Sequence, residues 1–112
     1  QEEMCSALLF ILRRALPQLP PSLVAGRIND IVAALTPVFR SSSSEMIVRQ
    51  ALQCLSCCAE AAYEASARPN RKVLRPIFGY LSDPRSAVRR QAELSAVQLL
   101  QKAREDSQTI EF

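Results

Sequence analysis

Between residues 45 and 66 the chain is apolar around most of a helical cylinder. Val48, Ala51, Leu52, Leu55, Ala59 and Ala62 recur at three- and four-residue spacing and form one stripe, which Cys54, Cys57, Ala61 and Ala65 widen. Only Arg49, Gln53, Ser56, Glu60 and Glu64 remain as a narrow polar stripe. A helix with so little polar surface needs neighbours on two or three sides. The middle layer of a stacked array supplies them, and so does a free-standing helix bundle.

The same periodicity predicts four further helices. The first covers residues 2–16, with Glu2 and Glu3 at its start and Arg13 and Arg14 at its end, as the helix dipole favours. Pro17, Pro20 and Pro21 stop it. Ser22 is the expected N-cap of a second helix over 23–39, whose last turn Pro37 bends or loosens. Residues 41–44 are all serine and read as a solvated turn, with phosphorylation as the alternative; Ser44 is the expected cap of the 45–66 helix. Arg68, Pro69 and Asn70 form the next break. A fourth helix over 71–81 contains Pro76. Asp83 as N-cap and Pro84 as first helical residue open a fifth over 84–105, and a polar tail follows at 106–112.

Part of this pattern occurs twice. Leu35-Thr36-Pro37-Val38-Phe39, a loop and Val48-Arg49-Gln50-Ala51 return as Leu74-Arg75-Pro76-Ile77-Phe78, a loop and Val88-Arg89-Arg90-Gln91-Ala92. The offset grows from about 39 to about 41 residues, a period of helical-hairpin arrays. Such hairpins stack because none buries its apolar face alone. The expected fold is an all-α helical-hairpin solenoid segment of about five helices. Residues 1–17 are the helix of a preceding repeat, 22–66 the first hairpin, 69–105 the second, and 106–112 the tail. The chain starts at Gln1 rather than Met, and it is expected to be part of a longer one.

Composition narrows the chemistry. The 112 residues suffice for one unit, and two glycines disfavour turn-dense β architectures and Gly-rich phosphate loops. No apolar run approaches the roughly 20 residues that span a bilayer, so no membrane partner is expected. The absence of histidine removes the commonest general base and metal ligand, and no serine can be completed into a hydrolase triad. Cys54 and Cys57 have Cys-x-x-Cys spacing and Cys58 follows. A redox pair prefers a helix N-terminus and a zinc site needs about four ligands. The expected role is that of reduced, buried core residues, with no metal, no cofactor, no small-molecule substrate and no enzymatic activity.

The net charge of +3 is concentrated. Residues 68–90 hold seven basic groups against Asp83 alone. Arg68, Arg71, Lys72, Arg75, Arg85 and Arg90 are the candidate contacts, whereas Arg89 is expected to have an internal structural role. Such a segment meets RNA phosphates through counterion release, or an acidic protein surface, or only solvent. There is little aromatic interleaving near these residues beyond Tyr80 and there is no Trp, so single-strand stacking is poorly supported.

The second copy resembles the HEAT repeat, in which a helical hairpin carries a proline in its first helix, an Asp-Pro turn, then Val-Arg and Ala. The matching positions are Pro76, Asp83, Pro84, Val88, Arg89 and Ala92, with Pro37 the proline of the first copy. In that family the turn aspartate and the Val-Arg arginine typically form ladders along the stack. Carried over, Asp83 and Arg89 are structural and Arg49 is the equivalent arginine one layer up. The first copy departs from the pattern, with Ser43-Ser44 in place of Asp-Pro and Ala51 one residue early.

A narrower resemblance covers most of the chain. Leu12-Arg13-Arg14-Ala15-Leu16-Pro17 with Pro21-Ser22-Leu23-Val24, the serine run with Val48-Arg49-Gln50-Ala51-Leu52-Gln53-Cys54-Leu55, and residues 73–81 with 84–92 are similar to the ribosomal-RNA-processing-protein-twelve family. The resemblance implies a HEAT/armadillo-like scaffold of the nucleus or nucleolus. It would act in small-subunit ribosome assembly and touch pre-ribosomal RNA and other proteins of a large assembly. The alternative is an importin-type transport receptor or another HEAT interaction scaffold, with the cytoplasm as the alternative compartment. Importin arrays commonly present acidic surfaces, and the basic segment argues against that reading.

Overall fold

A computed structural model describes the backbone of residues 2–41 and 44–111 and the side chains of residues 3–40 and 44–105. Its centre is the helix that the sequence made apolar on nearly every side. This helix, α4 (Glu45–Ser66), packs against all the other helices: α1 (Glu2–Ala15), α2 (Pro21–Gly26), α3 (Ile28–Ser41), α5 (Arg71–Gly79) and α6 (Ser86–Glu111). Short 3-10 turns at Leu16–Gln18 and Tyr80–Ser82 extend α1 and α5, and no strand occurs among the described residues.

The helices form two rows. In the first, α4 lies between α1 and α6. Contacts climb together along both seams, from Ser6–Gln50 to Leu9–Cys54 and from Gln53–Gln91 through Ser56–Ser95 to Glu64–Lys102, so the three helices run parallel. The second row holds α2, α3 and α5. Lys72 Nζ donates to Asn29 Oδ1 at 3.0 Å, and the rings of Phe39 and Tyr80 lie 5.2 Å apart. Leu52, Leu55, Val48, Val73, Ile77 and Val88 fill the space between the rows and are almost wholly buried. Val88 and Ala92, expected as repeat positions, have no exposed surface.

Among the described residues six helices replace the expected five because the second is split. Arg27, at φ −111° and ψ 7°, interrupts it between α2 and α3. Its N–H closes a turn onto Val24 O at 3.0 Å, while its own carbonyl accepts the Ile31 N–H that opens α3. Ser22 is not the cap. Helix α2 starts at Pro21, with Pro20 in the capping position and its carbonyl accepting from Leu23 and Val24. Proline suits that first position because it has no N–H to satisfy. Pro37 and Pro76 both lie inside helices, in α3 and α5.

Other boundaries moved less. Ser44 Oγ accepts from the Ile47 N–H at 3.5 Å, as its expected capping role requires. Ser42 and Ser43, and with them most of the serine turn, lie outside the described residues. Helix α4 ends at Ala67, whose φ of 56° is left-handed, and its N–H bonds to Tyr63 O at 2.7 Å. Asn70 then caps α5, accepting from the Lys72 N–H at 3.0 Å. Helix α6 begins two residues later than expected, at Ser86, and its backbone continues to Glu111. No proline or glycine after residue 105 breaks the pattern, so the expected tail remains helical.

Candidate interaction surfaces

The turn before α6 is closed by three residues. The Asp83 carboxylate accepts the Arg85 N–H at 2.8 Å, and the Arg85 guanidinium forks back onto both of its oxygens at 3.0 and 3.1 Å. Arg89 Nη1 donates to the Asp83 backbone carbonyl at 3.0 Å. These hydrogen bonds from Arg85 hold the Asp83 carboxyl below its ordinary value of 3.8. Pro84 lies exposed in the turn they close.

Three expectations change here. Arg89 secures its own turn rather than a ladder between layers. It stands about one helical turn into α6, and helical side chains lean toward the N-terminus, which carries its guanidinium over the turn carbonyl. Arg85, counted among the partner contacts, is committed to Asp83 and only 27% exposed. Arg49 does not reproduce the arrangement one layer up. It is exposed on α4 and forms no ion pair with a described residue, since its loop lacks the Asp-Pro turn.

The remaining cations collect around the start of α5. Arg68, Arg71, Lys72 and Arg75 are all exposed, and Arg90 is exposed on α6. Lys72 is partly committed through its bond to Asn29, which ties α5 to α3. Arg68, Arg71 and Arg75 form no ion pair with a described residue. Arg71 and Arg75 stand four residues apart on one side of α5, and Arg68 lies in the bend that leads into it.

Within the polar stripe of α4, Gln53, Ser56 and Glu64 face α6. Gln53 Nε2 donates to Gln91 Oε1 at 3.1 Å, and Gln91 Nε2 reaches Ser95 Oγ at 3.4 Å. Ser95 and Ser56 share a hydrogen bond, and Ser56 Oγ lies 3.1 Å from Leu52 O. A hydroxyl has one proton, so all four bonds coexist when Ser95 donates to Ser56 and Ser56 donates to Leu52 O. Ser56, Gln91 and Ser95 are buried. At the far end Lys102 Nζ meets Glu64 Oε1 at 3.1 Å. The sequence carried a signal for this: the paired residues are separated by 38 or 39 positions, close to the repeat period.

Where α1, α4 and α6 meet on the open side of their row, a groove of about 370 Å³ forms. Arg13 and Arg14 line its α1 side, Gln53 and Glu60 its α4 side, and Gln91 and Gln98 its α6 side. Arg14 lies over the Phe10 ring at 5.5 Å from its centroid. Cys57 is half-buried in this groove, whereas Cys54 and Cys58 are fully buried. Burial pushes both buried thiols up to about 12, and it raises Cys57 as well. The described residues contain no group of three or more His, Cys, Asp or Glu able to hold a metal ion.

Both ends of the first row are apolar. Met4, Leu8 and Ile11 of α1 point outward, as do Leu94, Val97 and Leu100 of α6. A family model described as RRP12-like, N-terminal HEAT repeats, matches residues 1–110. No curated protein and no solved structure matches the chain.

Proposed function

We infer that this chain, which belongs to the family of RRP12-like N-terminal HEAT repeats, is a non-catalytic scaffold in small-subunit ribosome assembly and ribosomal RNA processing. The observation that carries this reading is the family match over nearly the whole chain. On this reading the protein works in the nucleus or nucleolus and holds other proteins of a large assembly. The outward apolar faces of α1 and α6 support it. An offset of 41 residues sets Leu94 and Val97 at the positions of Gln53 and Ser56, the face on which α4 receives α6. A further layer or a partner helix would find the same kind of seam there.

Pre-ribosomal RNA is the proposed second partner, and the start of α5 is its proposed contact. Arg68, Arg71 and Arg75 are exposed cations without an ion pair among the described residues, which is the chemistry that phosphates require. Helix α5 also turns the positive end of its dipole toward them.

Sedimentation of tagged protein from cells tests the scaffold: it should travel with precursors of the small subunit, and free sedimentation would refute the reading. A salt titration with pre-ribosomal RNA tests the contact. Replacing Arg68, Arg71 and Arg75 with Gln should flatten the salt dependence by about one unit of slope per lost phosphate contact. An unchanged titration would leave these arginines as a solvated face.

A further inference from the structure

We propose that the groove between α1, α4 and α6 is a docking site for an extended acidic peptide of a protein partner. The site lies in the row of helices away from the α5 cations, and it stands whether or not those cations meet RNA.

Three observations carry the proposal. First, Arg13 and Arg14 stand side by side on one wall, exposed, and neither forms an ion pair with a described residue. Phe10 supports the Arg14 guanidinium from below, which fixes it for a planar, two-pronged contact with a carboxylate. Second, the opposite wall and the floor offer side-chain amides. Gln98 is exposed and has no hydrogen-bond partner among the described residues. Gln53 uses its amino group on Gln91, which leaves its carbonyl oxygen free of a side-chain partner. An amide that both donates and accepts suits the N–H and C=O groups of an extended chain. Third, the dimensions fit. Three adjacent helices packed about 8–10 Å apart span about 16–20 Å, which an extended chain crosses in about six residues.

Glu60 decides between a peptide and a nucleic acid strand. It lies in the floor among the amides. A strand with a phosphate at every step would bring one of them against this carboxylate, whereas a peptide can place an uncharged residue there. The groove also lacks an aromatic platform on which bases could stack, since Phe10 is covered by Arg14.

The probe is a fluorescent octapeptide of alternating Glu and Ala, with Lys-Ala and oligouridylate of similar length as controls, all presented to the full chain. The Glu-Ala peptide should bind, and Arg13→Gln with Arg14→Gln should weaken it about tenfold or more, as loss of charge-assisted hydrogen bonds implies. Both arginines are exposed, and circular dichroism verifies that the double variant is folded. Thiol labelling gives an independent readout. Cys57 lines this groove and Cys5 lines a separate one beside α3, so bound peptide should slow labelling of Cys57 and spare Cys5. The Arg68, Arg71 and Arg75 variant should bind the peptide normally. Absence of binding, insensitivity to the Arg13 and Arg14 changes, equal protection of Cys57 by oligouridylate, or loss of binding in the α5 variant would each overturn the proposal.

Discussion

Ser56 and Ser95 meet hydroxyl to hydroxyl inside the seam between α4 and α6, where both are buried. They are the middle of a relay that begins at the Gln53 amide and ends on the Leu52 carbonyl. Removing one hydroxyl strands a partner. Ser95→Ala should cost about 1–3 kcal/mol, the penalty for an unsatisfied buried group. Adding Ser56→Ala should recover only part of that loss, because the Ser56 oxygen left without its donor disappears while the Gln91 amide stays without its acceptor. Denaturant titration of the two single variants and the double variant measures the coupling. Strict additivity would show that the two hydroxyls do not act together.

Asp83 links stability to acid. Its folded carboxyl titrates below 3.8, so the deprotonated form is the one the turn favours. The stabilisation it gives is complete above that ordinary value and is lost as pH falls through the lower, folded one. Asp83→Asn removes the charge but keeps an oxygen for the Arg85 N–H. Its thermal midpoint should lie below that of the parent at pH 7, and the gap should close on acidification below about pH 4. Asp83→Ala, which also loses the oxygen that accepts the Arg85 N–H in the turn, should cost about 0.5–1.5 kcal/mol at neutral pH. A gap that stays constant with pH would assign the whole effect to shape.

The four cysteines should separate into two classes. Cys54 and Cys58 are buried, and with thiols near 12 they hold almost no thiolate at pH 8. Thiol reagents attack the thiolate. These two should therefore react only as fast as the chain opens, while the half-buried Cys5 and Cys57 are modified first. Peptide mapping after partial labelling reads the order, and early modification of Cys58 would contradict its burial.

Glycine and alanine stand in each other's best positions. Ala67 is exposed and holds the left-handed φ of 56° that ends α4, a conformation costing a non-glycine residue about 1–2 kcal/mol. Gly79 has right-handed helical angles, and a Cβ there would meet nothing within 4 Å. Ala67→Gly and Gly79→Ala should each stabilise the protein, the second by about 0.5–1 kcal/mol. Calorimetry on the two variants checks both, and a lower midpoint for Ala67→Gly would mean the turn relaxes around its methyl group.

The hairpins, the central place of α4 and the buried Val88 and Ala92 were legible because apolar spacing reports burial directly. The break at Arg27 was not, since Gly26 alone marks it and helices tolerate a single glycine. Polarity misled at Ser56: a hydroxyl satisfied by another helix has the same pattern as one satisfied by water. Among the candidate contacts, sequence could not separate Arg85 from Arg71. Both are arginines in a basic segment, and only the turn geometry brings Asp83 within reach of the first.

Helix α4 makes this piece of protein indivisible. A layered array can ordinarily be shortened one layer at a time, because each layer has its own share of the interior. Here one helix supplies ten buried residues, and each of the others reaches the interior through it. Any cut that removes α4 leaves two remnants whose apolar faces have lost the helix that both pack against. A protease nick at the exposed residues 67–69 is different. The two pieces would stay together in solution, since α5 and α6, which carry the buried Val73, Ile77 and Val88, both pack on α4 across the nick.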